Sequence, residues 1–210
     1  MGSTLEDSAH VIAYLIAAGG SVPNHPRWPL LVYPNAVKLA GADPATAFEE
    51  LFDRHEWPAA WRNGVYPFHH FHCDAHEALG VYSGEVTAQF GGDGGVVITA
   101  RPGDVIVLPA GTGHKRLASR GALGIVGAYP AGQHADMCTP VPASLARSAA
   151  AVARRSLPRP HFVSSSTAGA CTCQDFGLPD THPRCPARRA TRASCAPCPR
   201  AARSRRRAVQ

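Results

Sequence analysis

The chain has 210 residues, with 21 Lys+Arg against 15 Asp+Glu and a formal net charge of +6, but that charge is unevenly held. Residues 1–139 carry 8 Lys+Arg and 13 Asp+Glu, a net of −5, whereas residues 140–210 carry 13 Arg and 2 acids, a net of +11. Overall basicity is therefore no ground for a specific nucleic-acid partner.

Residues 1–60 read as an N-terminal segment, mostly extended or irregular, with one short helix. The apolar run from Val11 to Ala18 falls well short of the roughly 18–20 residues that cross a bilayer. It also lacks the basic flank and cleavage pattern of a signal peptide, so a cytoplasmic protein with no membrane partner is expected. Pro23, Asn24, Pro26 and Pro29 forbid a continuous helix, and Leu30 to Tyr33 reads as a strand. Asp43 is placed to cap a helix with Pro44 at its first position, and Phe48, Leu51, Phe52 and His55 fall at helical spacing. That helix should pack one face on the domain and end near Trp57–Pro58.

Residues 61–138 read as a barrel. Short β-rich runs, Leu79–Tyr82, Glu85–Phe90, Val96–Ala100, Val105–Leu108 and Leu123–Tyr129, are separated by glycine turns at Ser83–Gly84, Gly91–Gly95, Pro102–Gly103 and Ala110–Gly113. Many short strands at even spacing, with no crossover helix, point to an all-β sandwich or barrel. Only Cys73 and Cys138 of the 7 cysteines lie in the acidic part, which argues against a disulfide framework there.

From residue 139 the texture changes. Ala, Arg, Pro and Ser supply 45 of the last 71 residues, and large apolar side chains are scarce. Ser144 to Arg155 could form a weak helix; the rest of 139–210 reads as a disordered or aberrant tail. Abundant Arg without Lys is also what GC-rich coding sequence gives in a shifted frame, with the change expected near residues 138–142. Removing the tail near residue 139 should then leave fold and site intact. Cys171, Cys173, His182, Cys185, Cys195 and Cys198 match zinc-site spacings weakly, and the run from Arg203 to Arg207 could touch phosphates without specificity.

Four of the 11 histidines crowd into residues 69–76. On a strand His70 and His72 point to one face, with His69 and Phe71 on the other. Glu77 lies an odd step beyond His72, so a turn or bulge around Cys73–Ala75 must reset the facing before it can join. His114 follows the Pro109-Ala110-Gly111 turn. Three neutral imidazoles and a carboxylate suit one divalent transition metal such as Fe, Mn, Ni, Cu or Zn. The alternative for such histidines is a hydrogen-bonded place in the core.

The offsets favour the metal reading. Gly64, His70, His72, Glu77 and Gly84 meet the first cupin motif at every offset, and Gly103, Pro109, Gly111 and His114 meet the second, with Ala118 in place of its final Asn. The chain resembles a single-domain cupin, which implies a small antiparallel jelly-roll barrel and a metal held by His70, His72, Glu77 and His114. The segments from Val22 to Pro26, Trp61 to Gly64, Phe68 to His72, Ala75 to Gly84 and Val126 to Pro130 resemble the YjlB-type bacterial cupins. The likeness runs over about residues 10–138, about 60% of the chain.

That resemblance implies a small-molecule pocket and a metal-dependent oxygenase or isomerase; the alternative is a non-catalytic metabolite-binding or sensing module. His76 is the candidate acid/base group, and His69, Arg62, Lys115 and Tyr129 are further polar candidates near the ligand positions. Cys73 faces away from the ligand side. Trp57 and Trp61 are expected as core cover. A homodimer is compatible with exposed barrel edges.

Overall fold

The computed structural model describes residues 11–17, 20–140 and 142–155. Its elements follow in the order β1 (Ile12–Tyr14), β2 (Leu30–Tyr33), α1 (Ala45–Arg54), β3 (Ala59–Asn63), β4 (Glu77–Phe90), β5 (Val96–Ala100), β6 (Val105–Leu108), β7 (His114–Ala128) and α2 (Pro142–Arg154). The zinc-like cysteines and the arginine run of the tail lie outside the described residues.

The strands form one antiparallel sheet in the order β1-β2-β6-β4-β7-β3, with β5 added on β4. β4 is its centre. Glu77 to Gly80 pair with β6, Val86 to Phe90 pair with β5, and β7 runs along nearly the whole strand. The curled sheet brings Leu30, Val32, Leu79, Val81, Phe90, Ile106, Leu108 and Ile125 into one buried cluster. The fold is all-β, of the jelly-roll kind.

β4 is continuous where the sequence suggests a break. Gly84 has φ +66°, and a Cβ there would lie 2.9 Å from the carbonyl oxygens of Ala122 and Arg120. The register against β7 shifts on both sides of Ser83. The glycine therefore marks a bulge that bends the strand and does not end it. β7 likewise begins at His114 and not near Leu123, because its first half has exposed or half-exposed polar residues that conceal the strand pattern. β3 lacks apolar alternation altogether, and pairing with β7 makes it a strand.

α1 starts as its sequence suggests: the Asp43 carboxylate accepts from the Ala45 N–H at 3.2 Å. It ends at Arg54, short of Trp57. Glu56, at φ +64°, closes it with its N–H on Asp53 O, while the Trp57 N–H bonds Phe52 O. That is a Schellman stop with a residue other than glycine in the left-handed position. Phe48 and Phe52 are buried, and Phe48 lies over Gly80, where a Cβ would stand 2.2 Å from its ring. Arg62 on β3 ties α1 down through Glu49 at 2.6 Å and Asp43 at 2.8 Å.

Packed structure continues past Cys138. Val152 of α2 is fully buried against a cluster of Val22, Phe71 and Cys73, and its methyls lie 2.7 Å from where a Cβ on Gly111 would be. The helix anticipated near Leu145 is thus a cover over the loop that delivers His114. Removing everything after residue 138 would strip this cover. Among the described residues no helix is long and apolar enough to cross a membrane.

Candidate metal centre

His70 and His114 meet through the backbone. The His70 N–H donates to His114 O at 3.2 Å and the His114 N–H to His70 O at 2.9 Å, an isolated antiparallel bridge. Directly opposed residues present side chains on one face, and the two ring centres are 4.0 Å apart. His72, two residues on, shares that face. The chain then bends at Cys73 and Asp74 before Glu77 opens β4, the reset that the odd spacing requires. One nitrogen from each of His70, His72 and His114 lies within 4.8 Å of the others, and all three residues are buried. Glu77 Oε2 lies 3.3 Å from His114 Nε2 and 3.6 Å from His72 Nε2.

The outer ring nitrogens fix what the inner ones offer. His70 Nδ1 bonds Phe68 O at 3.3 Å, His114 Nδ1 bonds Thr112 O at 3.0 Å, and His72 Nδ1 bonds Asp136 O. A carbonyl only accepts, so each Nδ1 carries the hydrogen and each Nε2 keeps a lone pair directed inward. Among the described residues, Glu77 Oε2 is buried without a hydrogen-bond partner. Inward lone pairs beside an orphaned carboxylate oxygen repel one another unless a cation stands between them. The histidine triad is therefore able to bind a metal ion, and the Glu77 carboxylate stands beside it.

Charge follows the same logic. Burial works to raise the Glu77 pKa, but His114 and His72 outweigh it and hold the carboxyl well below the usual range. Burial works to lower His72, but Glu77 outweighs it and raises the imidazole pKa. His70, desolvated and next to His114, is lowered to about 4.

These groups face a cavity of about 260 Å³ whose wall includes Trp61, Tyr66, Leu79, Tyr129 and Met137. Tyr129 accepts from Trp61 Nε1 at 2.9 Å, and its ring stands edge-on to His72 at 5.8 Å. Burial, with Glu77 adding to it, pushes the phenol pKa up. It is therefore a neutral donor at the cavity wall.

The motif residues frame the site. Gly64 follows β3 on the cavity wall and Gly84 bends β4. Gly103 stands between β5 and β6, and Pro109 and Gly111 form the loop before His114. Gly111, at φ +83°, donates its N–H to His72 O at 2.7 Å.

His76, the candidate acid/base group, is placed differently. It is fully buried, is absent from the cavity wall, and its Nδ1 accepts the Ala110 N–H at 2.9 Å. Its position is that of a brace for the Pro109–His114 loop, so a role as proton donor to a ligand in this cavity is not supported. His69 lies 3.5 Å from Asp93, as does Lys115 at 3.7 Å; neither reaches the cavity, and nor does Arg62. Trp57 is core, whereas Trp61 belongs to the cavity wall. Asp136, Met137 and Asn24 were not anticipated. Asn24 is buried at φ +45° and donates to Ala17 O and Gly91 O at 2.9 and 3.1 Å. Asp136 acts on His72 through a backbone carbonyl, which no side-chain pattern reveals.

No family model matches the chain. It is 42% identical over 129 residues to the uncharacterised protein YjlB of Bacillus subtilis, covering 61% of this chain and 75% of that protein. Among solved structures, it is similar to a DUF861-family protein from Thermotoga maritima, with TM-score 0.27 and 22% identity over 43% of this chain and 96% of that one. It is also similar to an oxalate decarboxylase, with TM-score 0.29 and 14% identity over 62% of this chain and 31% of that one. The match to YjlB, at 42% identity over 75% of that protein, shows that the chain belongs to the YjlB-type cupins.

Proposed function

We propose that His70, His72, Glu77 and His114 hold one divalent transition metal ion, and that the cavity beside it takes a small oxygen-bearing molecule. The observation that carries this reading is the orphaned Glu77 Oε2 among three inward imidazoles. When bound, the metal would act as a Lewis acid or as a redox centre for oxygenation or isomerisation. Four protein ligands leave two positions free on a six-coordinate ion. At about 260 Å³, the cavity falls below the roughly 300–1,000 Å³ usual for small-molecule pockets, which suits a compact diol or keto acid.

The chain's own groups orient such a molecule. Tyr129, protonated, accepts from Trp61 and turns its hydroxyl toward Glu77, which sets a polar group on the cavity wall for an oxygen of the ligand to meet. Leu79 and Met137 supply apolar wall beside the metal position. The second reading is a metabolite-binding or sensing module with the same site and no turnover. A screen of small diols and keto acids against the metal-loaded protein tests both, read by O₂ uptake and by calorimetric binding. Turnover favours the enzyme, and saturable binding without turnover favours the sensor. Neither binding nor turnover across the screen would count against the small-molecule reading.

A further inference from the structure

Cys73 and Cys138 are free thiols on the side of the His72 segment turned away from the cavity. Their sulfurs are 3.5 Å apart, and the main chains that carry them are fixed. Phe71 and Cys138 exchange both backbone hydrogen bonds, at 2.9 and 3.0 Å. Asp136 Oδ1 accepts the N–H groups of Cys73 and Asp74 at 2.8 and 3.0 Å. The Cys138 thiol donates to Asp136 Oδ2 at 3.0 Å. A disulfide needs its sulfurs at about 2.05 Å, so the two must approach further for the bond to form. Cys73 is buried and Cys138 half-buried; burial and the neighbouring Asp136 push the Cys138 thiol pKa up, which slows its attack on an oxidant.

We propose that Cys73 and Cys138 form a redox modification site that hydrogen peroxide closes to a disulfide. In the first step the peroxide O–O bond breaks and Cys138 Sγ takes one oxygen as a sulfenic acid; the other oxygen leaves as water. Cys73 Sγ then displaces the hydroxyl from Cys138. The S–S bond forms, the S–O bond breaks, and the hydroxyl leaves with the Cys73 proton as a second water. Each sulfur gives up one electron and the two peroxide oxygens gain two. Proximity drives the second step, because the resolving sulfur already touches its target.

The position gives the bond a consequence. The strap from Asp136 to Cys138 supplies the carbonyl that orients His72 and, at Met137, part of the cavity wall. Closing the thiol pair clamps this strap to the segment carrying His72. The thiol chemistry itself does not rest on the metal reading.

The test treats the full chain with a small excess of hydrogen peroxide, alkylates the remaining thiols and maps the peptides by mass spectrometry. The expected result is a Cys73–Cys138 linked peptide, reversed by dithiothreitol. The oxidised chain should melt higher by roughly 5–10 °C, as expected for tying together distant positions. C138S, which keeps a hydroxyl for Asp136, should fold and show no such gain. Recovery of both cysteines as alkylated thiols would overturn the proposal, as would their linkage to other cysteines or alkylation blocked until a chelator removes a bound metal.

Discussion

The backbone bridge between His70 and His114 closes the candidate metal centre. Two segments far apart in sequence are held by hydrogen bonds of 3.2 and 2.9 Å, and their imidazoles come to 4.0 Å between ring centres. The ligand geometry is thus built into the main chain before any ion arrives, and the side chains need only their Nδ1 contacts to be aimed.

The unpaired Glu77 oxygen leads to the first prediction. Glu77→Gln keeps the shape and removes the charge, so metal affinity should fall by more than about tenfold. The melting temperature in chelator should hold or rise slightly, because a buried orphan charge has been removed. Metal titration and thermal melts of the two proteins check this; unchanged affinity would remove Glu77 from the ligand set.

A second prediction concerns α2. Val152 is fully buried at Gly111, so Val152→Ala should cost about 1–3 kcal/mol in urea unfolding. A chain ending at Cys138 should be less stable than one ending at Arg155. Equal midpoints for those two chains would show that the helix is not part of the domain.

Gly80 gives a third. A Cβ there would meet the Phe48 ring at 2.2 Å, so Gly80→Ala must push α1 away from the sheet. Overpacking of this kind costs about 1–3 kcal/mol. Chemical denaturation measures it, and a neutral substitution would show that α1 sits loosely.

pH dependence gives a fourth. Burial lowers the His25 pKa to about 4. Its Nδ1 accepts from the N–H groups of Arg27 and Trp28 at 3.2 and 3.0 Å, and its Nε2 lies 3.3 Å from Arg155 O. The unfolded chain binds this proton near 6.5 and the folded chain only near 4, so stability holds above about pH 6.5 and falls as pH drops toward 4. His25→Asn preserves an acceptor for the two N–H groups and should reduce that slope. His70, also lowered to about 4, should retain part of it in metal-free protein. Identical slopes in urea midpoints between pH 7 and 4.5 would contradict the assignment.

The gathering of His70, His72, Glu77 and His114 was legible because two constraints coincide in it. His70 and His72 obey strand alternation, and the offsets to Glu77 and His114 match known motifs. The central strands were legible from their buried β-branched residues. Gly84 misled because one glycine serves equally a turn and a bulge, and only the partner strand decides which. β3 and the first half of β7 were hidden by polar, exposed side chains, since pairing alone makes them strands. α2 was legible as a weak helix, but its packing was not, because in an alanine-rich stretch Val152 is the fully buried side chain. His76 drew attention by proximity in sequence, yet its imidazole serves the Ala110 N–H.

Metal content measures the central claim most directly. The full chain, purified and then reconstituted without oxygen with Fe, Mn, Ni, Cu or Zn, should retain about one ion per chain after desalting, as a single mononuclear site requires. His72→Ala should retain much less while keeping the fold. Wild-type protein that retains none of these metals, or His72→Ala and Glu77→Ala proteins that retain as much as wild type, would contradict the account.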